Sequence, residues 1–180
     1  HKEYRRQRQM CIRDRCLSSK NKEISTLPID IELICKLLGI SLVVDPTLEE
    51  KKIIGQIEMV SGHPTIKINL SRNMYRARRR FTIAHEIGHY CLHTMHSNMG
   101  FIDTDSTIMN KYSGKLDTYE KEANRFATEL LMPYKLIISK GEELSEDRPS
   151  KEDFVRRMVD AFDVSFEAMR YRLKNIGILD

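Results

Sequence analysis

Arg80-Phe81-Thr82-Ile83-Ala84-His85-Glu86-Ile87-Gly88-His89 gathers two histidines and a glutamate into one short run. His85 and His89 stand four residues apart. On a helix that spacing puts both imidazoles on one face, one turn above the other, close enough to hold one small cation. Glu86 lies about 100° round the helix from His85, where a carboxylate can reach a metal-bound water without being a ligand itself. Two histidines and a glutamate in this HExxH spacing make the pattern of two zinc ligands and a general base. A motif this short also arises by chance, so its surroundings must supply a third ligand.

A catalytic zinc wants three protein ligands and one open position. His93 continues the spacing of four, yet an unbroken helix would hold it about 12 Å from His85, too far to share one ion. A HExxHxxGxxH arrangement would need glycine at position 92 and histidine at position 95, where the chain has Leu92 and Met95. The remaining candidates are acids in Tyr119-Glu120-Lys121-Glu122-Ala123-Asn124-Arg125-Phe126-Ala127. Ala123, Phe126, Ala127, Leu130 and Leu131 define the buried face of a helix there. Glu120 falls about 50° from the centre of that face and Glu122 about 110°. Glu120 is therefore the expected third ligand and Glu122, expected to look outward, the alternative. Asn124, one turn beyond Glu120, is placed to brace a histidine ligand. His93, His96, Tyr112 and Tyr119 are candidates for bracing a ligand or stabilising an oxyanion.

Ahead of the motif, Leu27-Pro28-Ile29-Asp30 with Ile31, Ile34, Leu37 and Leu38 predicts an amphipathic helix closed by Gly39. Ile40 to Val44 reads as a short strand. Ile53 to Val60 and Thr65 to Leu70, with Ser61-Gly62-His63-Pro64 between them, read as a hairpin. Residues 74–95 form the motif helix, with one arginine of the Arg76-to-Arg80 cluster bonding inward. Residues 96–118 read as a long polar loop beside the site. A helix over 119–132 stops at Pro133, and a further helical stretch from Tyr134 closes at Gly141. Ser150 and Ser165 cap two final helices. The expected class is α+β: mostly helical, with a small N-terminal antiparallel sheet or hairpin on the HExxH helix and a Glu-bearing helix. A helix-turn-helix-like pair follows. The expected division is a leader over 1–22, a zinc metallopeptidase domain over 23–141, and a helical pair over 142–180 packed on that domain.

The chain of 180 residues is long enough for one core. Its net charge of +4 is unevenly spread. Residues 1–22 carry a surplus of six positive charges, which leaves −2 for the remainder, so the body offers no basic surface for nucleic acid. That leader reads as disordered or artefactual, and Gln9-Met10-Cys11-Ile12-Arg13-Asp14-Arg15 resembles a peptide translated from sequencing-adapter DNA. Cys11, Cys16, Cys35 and Cys91 form no CxxC pair and are expected as reduced thiols in a cytoplasmic protein. No apolar run is long enough to span a bilayer, so no membrane partner is expected.

The motif stretch, the Glu120-to-Ala127 stretch and Leu130-Leu131-Met132-Pro133 together resemble the ImmA/IrrE family of zinc metallopeptidases. The likeness runs from Leu27 to Asp180. It implies one zinc ion per chain on two histidines and a glutamate, as in gluzincins. It also implies cleavage of a helix-turn-helix repressor, which would derepress mobile-element or stress-response genes. The rival is a DNA-binding or protein-binding regulator with a zinc site and no general proteolytic activity, using Arg170, Arg172 and Lys174 on the last helix. Residues 151–180 hold six basic and six acidic residues, which argues against direct nucleic-acid binding.

Overall fold

Asp30 opens the first helix. Its carboxylate accepts from the backbone N–H groups of Glu32 and Leu33 at 3.1 and 2.9 Å, satisfying donors that have no partner inside the helix. This helix, α1, spans Ile31–Leu37 and buries Ile31, Ile34 and Cys35. Gly39 follows at φ +68°, the left-handed conformation that ends a helix at little cost to glycine. The computed structural model describes residues 26–93, 101–104 and 114–180. The leader with Cys11 and Cys16, and the site candidates His96 and Tyr112, lie outside the described residues.

Three strands come next: β1 (Ser41–Val44), β2 (Ile53–Val60) and β3 (His63–Ile68). Ser61 and Gly62 both take positive φ, as a two-residue hairpin turn demands. The turn is therefore tighter than the sequence reading, and His63 is the exposed first residue of β3, paired with Val60. A fourth strand, β4 (Phe101–Thr104), lies within the stretch expected as loop and pairs antiparallel with β2. Ladder bonds are made by backbone, so an edge strand can form where side-chain alternation gives no signal. The sheet order is β1-β3-β2-β4. The hairpin is antiparallel as expected, but β1 runs parallel to β3, so the sheet is mixed.

Helix α2 (Arg76–Leu92) lies against β2 and β3 on one side and against α3 (Gly114–Leu131) on the other. α3 also begins inside the expected loop. Ile57, Ile66 and Ile68 of the sheet, Ile83 and Ile87 of α2, and Ala127, Leu130 and Leu131 of α3 belong to one buried cluster. α4 (Tyr134–Ser145), α5 (Lys151–Phe162) and α6 (Phe166–Asn175) complete the chain. α4 runs through Gly141 instead of closing there; a Cβ at that position would meet the Phe154 ring of α5 at 3.5 Å, an ordinary packing distance. Ser150 and Ser165 cap α5 and α6 as expected. The architecture is α+β and mostly helical.

Two buried arginines tie the last helices to the rest. Arg80 of α2 donates to the carbonyls of Asp163 (3.1 Å) and Ile29 (2.8 Å), joining the α5–α6 turn to the segment before α1. It is the inward-bonding arginine expected from the cluster. Arg172 of α6 grips both carboxylate oxygens of Glu129 at 3.0 and 2.8 Å and donates to the Met132 carbonyl at 3.2 Å. Glu129 keeps some solvent exposure, so losing its partner costs less than stranding a fully buried charge. Arg172→Met is expected to lower stability by about 1–3 kcal/mol, read from the urea midpoint; an unchanged midpoint would show that the pair contributes nothing to holding α6.

Candidate metal centre

The site is built where α2 crosses α3. Gly88 and Ala123 mark the crossing: a Cβ on Gly88 would lie 3.2 Å from both the Cα and the carbonyl oxygen of Ala123, and 3.2 Å from the Phe126 ring. Glycine lets the backbones approach closely enough for short polar groups on either side to meet. On the other flank of α2, Thr82 donates to Asn73 Oδ1 at 2.7 Å, and the Asn73 amide donates to the carbonyl of Ile54 at 2.9 Å. That chain fastens α2 to β2 beside Gly55. A Cβ at Gly55 would come 2.6 Å from Thr82 Cγ2 and 3.3 Å from Glu86 Oε1, so this glycine clears the space in which the wholly buried Glu86 carboxylate sits. An irregularity in the β2–β4 pairing falls between Ile53 and Gly55, at the same place.

Three donor groups converge at the crossing. His85 Nε2 and His89 Nε2 are 2.9 Å apart, and the Glu120 carboxylate oxygens lie 3.1 Å from the first and 3.2 Å from the second. Ligands of a tetrahedral zinc with bonds of about 2.0–2.1 Å stand roughly 3.3 Å from one another, so this triangle is close to one face of such a shell. The Nδ1 atom of His85 meets Asn124 Oδ1 at 2.9 Å. An amide oxygen only accepts, so His85 carries its proton on Nδ1 and turns a lone pair on Nε2 toward the cluster. Two imidazole nitrogens and a carboxylate facing one another are a donor set that suits a divalent cation. Neutral imidazole and ionised carboxylate are also the forms that ligate.

The electrostatics favour those forms. Burial alone would raise the Glu120 carboxyl, but His85 and His89, when they carry a proton toward it, outweigh burial and hold the group at about 2. Burial lowers His89 from its usual range. It takes His93 down to about 4, with neighbouring His89 adding to the effect.

The other sequence candidates divide between the two flanks of the crossing. With about 100° per residue, Asn124 falls on one side of the α3 contact face, and Tyr119 and Glu122 on the other. His85 meets the first flank and His93, two turns along α2, meets the second. His93 Nδ1 lies 3.0 Å from His89 Nδ1, its Nε2 lies 3.2 Å from Glu122 Oε2, and the Tyr119 ring packs on it at 4.6 Å. Glu122 thus stands with His93 and not with the His85–His89–Glu120 group. It does not look outward as its phase predicted, because the C-terminal end of α2 covers that flank. Gly55, the Asn73 tether and the Glu122–His93 contact escaped the sequence reading; all three depend on neighbours distant in the chain.

Arg172, which the rival reading assigned to a DNA-facing helix, is buried against Glu129. Among the described residues no helix is long and apolar enough to cross a membrane. Gly88→Ala offers a test of the crossing. Alanine gains about 1 kcal/mol of helix propensity over glycine, whereas overpacking a close contact costs about 1–3 kcal/mol. The expected net result is a loss of about 1 kcal/mol by chemical denaturation; a stabilised variant would mean that the helices do not meet there.

Comparison with known proteins gives the chain a family. The family model Peptidase_M78, described as the IrrE N-terminal-like domain, matches residues 48–174, a span holding His85, Glu86, His89 and Glu120. A 66-residue stretch is 39% identical to "Uncharacterized immunity region protein 2" of Bacillus phage phi105, covering 37% of this chain and 37% of that relative. With the larger part of its length matched by the family model, the chain belongs to the ImmA/IrrE family of peptidases.

Proposed function

We propose that this chain is a zinc-dependent endopeptidase whose substrate is a helix-turn-helix repressor, so that cleavage derepresses mobile-element or stress-response genes. The observation that carries the chemistry is the meeting of His85 Nε2, His89 Nε2 and the Glu120 carboxylate within about one ligand shell, with Glu86 on the same helix as the histidines. Membership of a peptidase family supports hydrolysis of a protein, and the phage immunity-region relative supports a setting of repressor control. Residues 23–141 would form the catalytic unit, with 142–180 packed on it through Arg80, Phe154 and Arg172.

Zinc, when bound, supplies a Lewis acid that polarises a peptide carbonyl and makes water a better nucleophile near neutral pH. The chain's own residues do the rest. His85, His89 and Glu120 would hold the ion, and Asn124 fixes the orientation of His85 through its Nδ1 proton. Glu86 takes the proton of the attacking water on a carboxylate oxygen and delivers it to the leaving amide nitrogen. Its burial against Gly55 keeps that carboxylate in one place.

The test is Glu86→Gln. The amide keeps the size of the side chain and removes the base, so zinc should still bind while cleavage of a co-encoded repressor falls by at least about 100-fold. A chelator should stop the wild-type reaction and added zinc restore it. Cleavage by the glutamine variant at the wild-type rate would remove Glu86 from the mechanism, and wild-type cleavage that survives chelation would remove the metal.

A further inference from the structure

We propose that Glu122 and His93 form a positioning chain that fixes the tautomer and ring plane of His89, as Asn124 does for His85. The proposal rests on the metal-site reading above and extends it from the donors to what holds them. For His89 to turn a lone pair on Nε2 toward the site, its proton must sit on Nδ1. That nitrogen is 3.0 Å from His93 Nδ1. Two N–H groups cannot share so short a contact, so His93 Nδ1 must accept, which puts the His93 proton on Nε2. There Glu122 Oε2 receives it at 3.2 Å. Each assignment forces the next one, from the carboxylate inward to the donor atom.

The packing holds this chain in register. His89 is 1% and His93 6% exposed, so water does not readily replace either partner. The ring of Tyr119 lies on His93 at a centroid distance of 4.6 Å, and the rings of His89 and His93 stand 5.1 Å apart, tilted by 54°. His93 also follows the last residue of α2, and its backbone N–H still bonds the His89 carbonyl at 2.9 Å. Its position is therefore set by the same helix that carries the ligands. The two ligand histidines are then held by different chemistry: an amide on one flank of α3, an imidazole and a carboxylate on the other. Neither His93 nor Glu122 is a ligand or a catalytic residue; both act through His89.

The experiment measures the affinity of the full chain for zinc ion by competition with a chelating dye, for wild type, Glu122→Ala, Glu122→Gln, His93→Phe and His93→Asn. Circular dichroism checks each fold. Losing such a partner ordinarily weakens metal binding about 10–100-fold. Glu122→Ala and His93→Phe should fall in that range. Glu122→Gln keeps an acceptor for the Nε2 proton, and His93→Asn puts an amide oxygen where Nδ1 stood, so both should stay within a few-fold of wild type. Glu122 is partly exposed and alanine suits a helix, which keeps the test open should His93→Phe misfold. Side-chain nitrogen NMR of the zinc-loaded protein should find His89 protonated on Nδ1 and His93 on Nε2. Wild-type affinity in Glu122→Ala, or a His93 proton on Nδ1, would overturn the chain while leaving the site intact. A wild-type protein that binds no zinc would overturn the site and the proposal together.

Discussion

Two helices must touch at their backbones before any of the site's chemistry can occur. Side chains of ordinary size hold helix axes about 8–10 Å apart, and a glutamate reaching across has to meet histidines that are themselves half-way down their helix. Gly88 against Ala123 allows the approach, and the donor triangle of His85, His89 and Glu120 follows from it. The sheet serves the same end from behind. Ile57, Ile66 and Ile68 give α2 an apolar floor, and the Thr82–Asn73–Ile54 bonds stop the helix from sliding along it.

The polar groups around the crossing are arranged in graded layers. Innermost are the donor atoms, where burial favours neutral imidazole and the histidines beside Glu120 favour its ionised carboxylate. Next come Asn124 and His93, each meeting the Nδ1 face of one histidine. Farther out stand Glu122 and Tyr119, which touch His93. Polar groups out of reach of water are costly unless paired, so a cluster this deep holds together only if its hydrogen bonds run consistently in one direction. Glu86 lies against the bare backbone at Gly55, on the sheet side of α2.

The C-terminal helices are joined to the same frame by charge and not by apolar area alone. Arg80 reaches from the motif helix to the carbonyl of Asp163, whose left-handed backbone makes the α5–α6 turn. Arg172 reaches from α6 to the far end of α3. A helix pair that spends its arginine inward has less positive surface to offer a phosphate backbone, consistent with the balanced charge of residues 151–180.

Much of this was legible in the chain itself. The four-residue spacing of His85 and His89, the place of Glu86 between them, the helical phase that brings Glu120 inward and the one-turn step from Glu120 to Asn124 are all properties of one helix at a time, and periodicity reports them. So are the caps at Ser150 and Ser165 and the α+β class. Folding alone decided what depends on two elements at once. β4 and the start of α3 lay hidden in a polar stretch because backbone pairing leaves little mark on side-chain pattern. Glu122 turned to His93, against its own phase, because the end of α2 covers that flank of α3. Gly55, unremarkable within a strand, proved to be the space Glu86 occupies. A sequence records which face of a helix is apolar; which neighbour lies on that face, and at what distance, is set only when the helices pack.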